Sequence, residues 1–167
     1  QGMVINWARV DSPFGALLIA ASEQGLCRVS FDEEEANLRQ RYPAAELVEN
    51  EGAPLIQAAL AAIKDPALAA SLPTDVSGTV FQQRVWAELR RIPPGETRSY
   101  LDIARAIGDP NATRAVGTAN GANPIAIIVP CHRVVRNDGS LGGYAGGLAR
   151  KKELLAAETR HAQGSLL

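Results

Sequence analysis

"SYLDIARAIGDPNATRAVGTANGAN", Ser99 to Asn123, holds two short helical stretches joined by a tight turn. Ser99 with Asp102 three residues on can form a reciprocal N-terminal cap, and Gly108 is placed to stop the helix. Asp109 then reads as a second cap, with Pro110 at the first helical position and Gly121 near the end. Two helices joined by "GDPN" predict a helix-turn-helix. The second helix is small-sided: Ala112, Ala115, Gly117, Ala119 and Gly121, with Arg114 as its one long basic residue. A glycine inside a helix costs about 1 kcal/mol against alanine. Something must offset two of them, either tight packing on a neighbouring helix or close approach to another surface such as a DNA groove. Composition alone favours neither.

The flanking sequence extends this pattern. "TVFQQRVWAELRRI", Thr79 to Ile92, has Thr79 three residues before Gln82, again a capping pair. Phe81, Val85, Leu89 and Ile92 recur at helical spacing, and "PPGE" ends the helix. The front of the chain reads differently. "VINWARVD" alternates, "GALLIAAS" is a short apolar run and "GLCRVSF" follows Gly25, which predicts three strands. The turn signals "SPFG" and "SEQG" between them predict an antiparallel meander. "DEEEANLRQRY" predicts a helix whose acidic first turn suits the helix dipole, and "PLIQAALAAI" a helix opened by Pro54. "DPALAASLPTDVSG" reads as the link between the halves. The expectation is an α+β chain with one domain over 1–77 and a helical one over 78–167.

The totals agree with an ordinary globular chain. Of 167 residues, 46% are hydrophobic and 21% charged, enough apolar side chain for a core without disulfides or metal. No apolar run approaches the length of a membrane span. The net charge of −1 hides an asymmetry: residues 1–77 carry five basic and eleven acidic side chains, residues 78–167 twelve and seven. Only the back half could meet a polyanion, although helical surfaces also scatter charge unevenly. With two cysteines, Cys27 and Cys131, and no export signal in view, the expectation is a cytoplasmic protein with reduced thiols. Cys27, in the strand region, is expected to be structural. A monomer is the simplest expectation.

The chemistry centres on "IAIIVPCHRVV", Ile125 to Val135. A cysteine attacks as its thiolate, and an ordinary thiol is mostly protonated at neutral pH. His132 is adjacent, but in an extended segment neighbouring side chains point to opposite faces. A turn at Pro130 or a bridging water would connect them, and a third group should orient the imidazole. In "GGLARKKELLAAE" the helical stripe Leu148, Lys151, Leu155 and Glu158, with Leu154 beside it, is the face to be buried. A carboxylate on that face needs a partner; His132 is one, and a frayed helix end in water is the other reading. A structural zinc needs about four ligands, and two Cys with two His, mostly far apart in sequence, do not supply them. A Cys-His hydrolase and an inert core cysteine both stay open on these residues alone.

"PCHRVV", Pro130 to Val135, resembles the active-site signature of the O6-alkylguanine-DNA alkyltransferases, the methylated-DNA–protein-cysteine methyltransferases, of bacterial type. The resemblance runs from "FQQRVWAELRRIPPGETRSY" through "GGYAGGLARKKELLAAE", nearly all of residues 80–158, and several separate motifs agree. The front half matches loosely. The resemblance implies a small N-terminal ribonuclease H-like domain of antiparallel sheet and helices, then a helical domain with a helix-turn-helix. It implies that Cys131 takes the alkyl group from O6 of guanine in duplex DNA, and from O4 of thymine as well. The thioether product is not cleaved by water, so each molecule acts once. No turnover cofactor and no metal are implied.

The resemblance also distributes roles. His132 would deprotonate Cys131 through a bridging water, Glu158 would hold the histidine, and Asn123 would brace the backbone near the cysteine. Arg114 matches an arginine finger that fills the gap left by a flipped base. Tyr100 matches a tyrosine that crowds the adjacent phosphate and donates to the base. The helix carrying Thr113, Ala115, Gly117, Thr118 and Gly121 matches a recognition helix laid in the minor groove, where small residues allow close approach. Carbonyls of Cys131 and Val134 would accept from the exocyclic amine of the base, and Tyr144 would wall the pocket. Ala145 departs from relatives with serine there and keeps only its main-chain N–H. Lys151 matches a lysine near the thiol, although a solvated lysine fits nearly as well. A non-catalytic lesion binder would lack Cys131, and an operator-reading regulator would want base-reading side chains, of which this helix has few.

Overall fold

The computed structural model describes residues 3–164, so the outermost residues of both expected domains lie outside the described residues. The chain divides into two compact units, Gln1–Ser77 with Pro124–Ile128, and Gly78–Asn123 with Val129–Leu167. Among the described residues no helix is long and apolar enough to cross a membrane.

In the first unit, β1 (Val4–Ser12), β2 (Gly15–Ala21) and β3 (Leu26–Phe31) form where the alternating and apolar runs predict them. They pair antiparallel in the order β1, β2, β3. Both connecting turns are closed by serine: Ser12 Oγ accepts from Phe14 N at 3.1 Å and Ser22 Oγ accepts from Gln24 N at 3.1 Å. A fourth strand, β4 (Glu46–Glu49), lies parallel to β1 on its free edge, giving the order β3-β2-β1-β4. The sequence reading has no strand here, because "ELVE" is four residues long with an acidic residue at each end.

Strand alternation sends Ile5, Trp7, Leu18 and Ala20 to one face, and the register shift that skips Cys27 in β3 adds Cys27 to it; Leu38, Tyr42, Ala45 and Leu47 complete the core. Leu38 belongs to α1 (Glu35–Arg41), whose first turn is acidic as expected. Ala8, Val10, Leu17 and Ile19 point to the other face, and α2 (Pro54–Lys64) packs on β1 and β2 with Ile56, Ala59, Ala62 and Ile63 buried. Cys27 is a free, buried core thiol, pushed up to about 11 chiefly by desolvation. That places it among inert structural cysteines.

The edge of β3 is covered by backbone from two later segments. Leu26 N donates to Pro73 O and Asp75 N to Leu26 O, while Val29 N donates to Pro124 O and Ala126 N to Val29 O. An uncovered edge would be a template for foreign strands. The first of these segments follows a 3₁₀ turn at Pro66–Ser71, so the stretch read as a link is ordered. Gly25 makes it possible: a Cβ there would sit 2.8 Å from the Pro73 and Thr74 backbone.

The second unit is helical. α3 (Val80–Leu89) and α4 (Tyr100–Ala106) start with the predicted capping boxes, Thr79 with Gln82 and Ser99 with Asp102. Gly108 takes φ +83° after α4, the left-handed turn that glycine adopts without strain. α5 (Thr113–Gly121) begins later than expected: 109–112 form a turn closed by Ala112 N donating to Asp109 O, so Asp109 and Pro110 precede the helix rather than cap it. α3 packs on α4 and α5. The Trp86 indole donates to Ala119 O at 2.9 Å, fastening α3 to α5, and Arg84 donates to Ile107 O at the end of α4. A parallel pair, β5 (Arg98–Ser99) with β6 (Val134–Val135), ties the start of α4 to the segment after His132. α6 (Leu148–Gly164) closes the unit.

Candidate active site

The residues leading to Cys131 turn twice. Ile128 N donates to Ala126 O at 2.8 Å across Ile127, whose φ is +70°. A β-branched residue there is strained. Cys131 N then donates to Val129 O at 2.8 Å across Pro130, at φ −83° and ψ 64°, an unstrained inverse γ-turn. Cys131–Arg133 follow as one 3₁₀ turn. Cys131 and His132 are therefore not in extended chain, and the alternation that would separate their side chains does not apply.

His132 is fully buried, and its Nε2 meets Glu158 Oε2 at 2.8 Å. The sequence reading anticipated this partner. It did not anticipate Arg133, whose Nε and Nη2 donate to Glu158 Oε1 and Oε2, both at 2.8 Å, and whose Nη1 donates to Ile92 O at 2.6 Å. An arginine inside an apolar run, beside a residue already bound for the interior, was the available signal. Burial pushes the Glu158 carboxyl up, but hydrogen bonds and charge from His132 and Arg133 outweigh it and hold it at about 2. Burial keeps His132 below its ordinary range, against the upward pull of Glu158. The pair is thus a carboxylate and a neutral imidazole. A carboxylate only accepts, so Nε2 carries the hydrogen and Nδ1 is left with its lone pair. That Nδ1 is buried, with no partner among the described residues.

The α6 stripe is corrected in one place. Lys151, Leu154 and Glu158 are buried and Leu155 partly so, but Leu148 is 52% exposed, because it opens the helix before α6 reaches the core. Lys151 is not the solvated alternative: it is 0% exposed. Its Nζ donates to Val134 O at 2.7 Å, to Gly143 O at 3.0 Å and to Leu141 O. Three donors meet three carbonyls, and burial lowers the ammonium to about 8. Val134 O, expected to accept from a base, already has one lone pair engaged.

Cys131 lines a cavity of about 280 Å³ with Tyr100, Gly117, Asn120, Gly121, Gly143, Tyr144 and Ala145. Small-molecule pockets start at about 300 Å³, so this volume suits one base with a small substituent. Burial raises the Cys131 thiol, while a hydrogen bond from Asn123 and the charge of Lys151 pull it back. Asn123 Nδ2 also donates to Val129 O at 2.8 Å. Asn120, absent from the sequence expectations, donates from Nδ2 to Cys131 O at 3.3 Å. Tyr144 stands edge-on to His132 with ring centroids 6.5 Å apart. Tyr100 is fitted by glycine: a Cβ on Gly142, itself at φ +70°, would lie 3.0 Å from the Tyr100 hydroxyl. Along α5, Arg114, Ala115, Thr118 and Gly121 are exposed, Thr113 and Gly117 are half-buried, and Val116, Ala119 and Asn120 are buried. Among the described residues no group of three or more His, Cys, Asp or Glu could hold a metal ion.

Comparison with known proteins places this arrangement. Residues 5–84 match the ribonuclease-like domain of 6-O-methylguanine DNA methyltransferase, and residues 80–160 match its DNA binding domain. The chain is 42% identical over 170 residues to the Escherichia coli bifunctional transcriptional activator/DNA repair enzyme Ada, covering 96% of this chain and 47% of that protein. It thus spans about half the length of the Ada proteins it matches. It is 44% identical over 154 residues to a Methanosarcina barkeri methylated-DNA–protein-cysteine methyltransferase, covering 89% of this chain and 94% of that one. A crystal structure of Mycobacterium tuberculosis OGT in complex with DNA superposes with TM-score 0.77 at 40% identity, covering 93% of this chain and 94% of that one. By both its halves and the fold they share with these relatives, the chain belongs to the 6-O-methylguanine DNA methyltransferase family.

Proposed function

We propose that this chain repairs alkylated duplex DNA by moving the alkyl group from O6 of guanine onto Cys131. The observation that carries the reading is the Cys131-walled cavity beside a neutral, buried His132 whose Nε2 is committed to Glu158 and whose Nδ1 is free to take a proton. Because burial holds the thiol protonated, the base must act during the reaction. The thiol proton passes to His132 Nδ1 through a bridging water, and sulfur attacks the alkyl carbon. The carbon–O6 bond breaks as the carbon–sulfur bond forms. Guanine leaves with the bonding pair and takes a proton from the Tyr100 hydroxyl, and the proton held by His132 then passes through water to restore the tyrosine. One thiol hydrogen is exchanged for one alkyl group, so no oxidant, reductant or cofactor enters. Glu158 and Arg133 fix the imidazole; Asn123 and Lys151 favour the developing thiolate.

Residues 78–167 would hold DNA and the acceptor, with 1–77 as the ribonuclease-like partner domain. The exposed face of α5 would dock in the minor groove, its small side chains allowing close approach, while Arg114 fills the space of the extruded nucleotide. Flipping costs a few kcal/mol, less for a poorly paired lesion. The thioether resists water, so each molecule would act once. O4-alkylthymine would be a second substrate, and the cytoplasm or nucleoid the place of work. Incubating the protein with a duplex bearing O6-methylguanine and weighing the intact chain tests this. A methyl group gained at Cys131 supports transfer; unchanged mass with the methyl still on DNA rejects it.

A further inference from the structure

Asn120 lines the cavity with half its amide unmet. The residue is 5% exposed, and it lines the same cavity as Cys131. Nδ2 donates to the Cys131 carbonyl. Oδ1 is buried with no partner among the described residues. The amide cannot be turned over to relieve this, because the oxygen would then face the Cys131 carbonyl oxygen. A buried acceptor left unmet is costly, and one on a side chain that lines a cavity points to a donor on whatever enters. Neither an aliphatic side chain nor glycine, both usual in a small-sided helix, would carry this cost.

On an O6-alkylated guanine the ring nitrogen N1 has no hydrogen, so the base edge has one donor group, the exocyclic 2-amine. O4-alkylthymine has none. We infer that Asn120 is a specificity-determining residue of the cavity, whose Oδ1 accepts a hydrogen bond from the 2-amine of the extruded base and so favours alkylated guanine over lesions without that amine. The inference rests on the transfer reaction proposed above. It adds a side-chain acceptor to the two carbonyls of Cys131 and Val134, each of which already receives a protein donor.

The test is a competition. Limiting protein meets equal amounts of two duplexes of one sequence, one with O6-methylguanine and one with O6-methylhypoxanthine, which lacks the 2-amine; one methyl is deuterated. The mass of Cys131 then reports which duplex supplied the group. Wild-type protein should prefer guanine, and Asn120→Leu should lower that preference about tenfold, the worth of roughly one hydrogen bond. Misfolding of the variant lowers both signals together and leaves the ratio intact. If the variant transfers from neither duplex, the same ratio is read as binding affinity in a Cys131→Ser background. A ratio unchanged within about twofold in both formats overturns the role of Asn120. Should wild-type protein take neither methyl, the transfer reading itself falls.

Discussion

Replacing Arg133 with methionine keeps an unbranched apolar stem and removes the charge and the three nitrogens that donate to Glu158 and Ile92 O. Arg133 and Glu158 are 4% and 3% exposed, so water cannot take over. Glu158 would be left a buried carboxylate with His132 as its one partner, and Ile92 O would lose a donor. Breaking a buried pair from one side costs about 3–5 kcal/mol. With a urea slope of about 2 kcal/mol per molar, the midpoint should fall by about 1.5–2.5 M. Replacing Glu158 by leucine as well removes the stranded charge, so Arg133→Met/Glu158→Leu should be more stable than Arg133→Met alone while losing alkyl transfer. Urea denaturation followed by Trp86 fluorescence reads the second unit once Trp7 is changed to phenylalanine. Trp7 lies in the first unit, and its indole nitrogen is buried without a partner among the described residues. A midpoint drop under about 0.5 M, or a double variant no more stable than Arg133→Met alone, would show that the triad is not the buried, unscreened network described.

Acid should weaken the fold in two steps. Native His132 resists the proton that the unfolded imidazole takes up near 6.5, so stability should fall as pH drops below that value, and His132→Gln should remove the step. Glu158, held at about 2 against an ordinary 4.5, contributes stability above 4.5 that is lost on the way down to 2; urea midpoints across pH 7 to 3 check both, and no change between 7 and 5 contradicts the first. Gly142→Ala, at φ +70° and against the Tyr100 hydroxyl, should slow transfer at least about tenfold through a displaced donor, while Tyr100→Phe should slow it without the added strain on folding. Gly121→Ala meets no atom within 4 Å and should raise thermal stability by up to about 1 kcal/mol; if α5 docks in a groove, fluorescence anisotropy should show weaker duplex binding all the same.

The helical unit was legible because its punctuation is local. Thr79, Ser99 and Gly108 act within one turn of themselves, and the structure uses each as read. The Glu158–His132 contact was legible from a helical stripe, which fixes the face of a residue without fixing its partners. Arg133 was missed for that reason: its bonds to Glu158 and Ile92 join positions 25 and 41 residues apart. β4 and the β5–β6 pair were missed because strands of four and two residues carry too little alternation to read. Lys151 shows a further limit. Spacing put it on the buried stripe, yet what a buried ammonium holds depends on three carbonyls, one from β6 and two from the loop after it.

The five residues Pro124–Ile128 interrupt the second unit and rest on the edge of β3, so the polypeptide passes from one unit to the other three times. Neither unit is therefore a continuous piece of chain. A protease cut near Ser77 would leave two fragments, of which the larger still carries the rung that pairs with Val29. An excised 78–167 would present that rung with nothing to pair to, a few residues before Cys131. Exchanging front halves among relatives is accordingly constrained at one strand edge, where the incoming sheet must offer the same backbone groups in the same register.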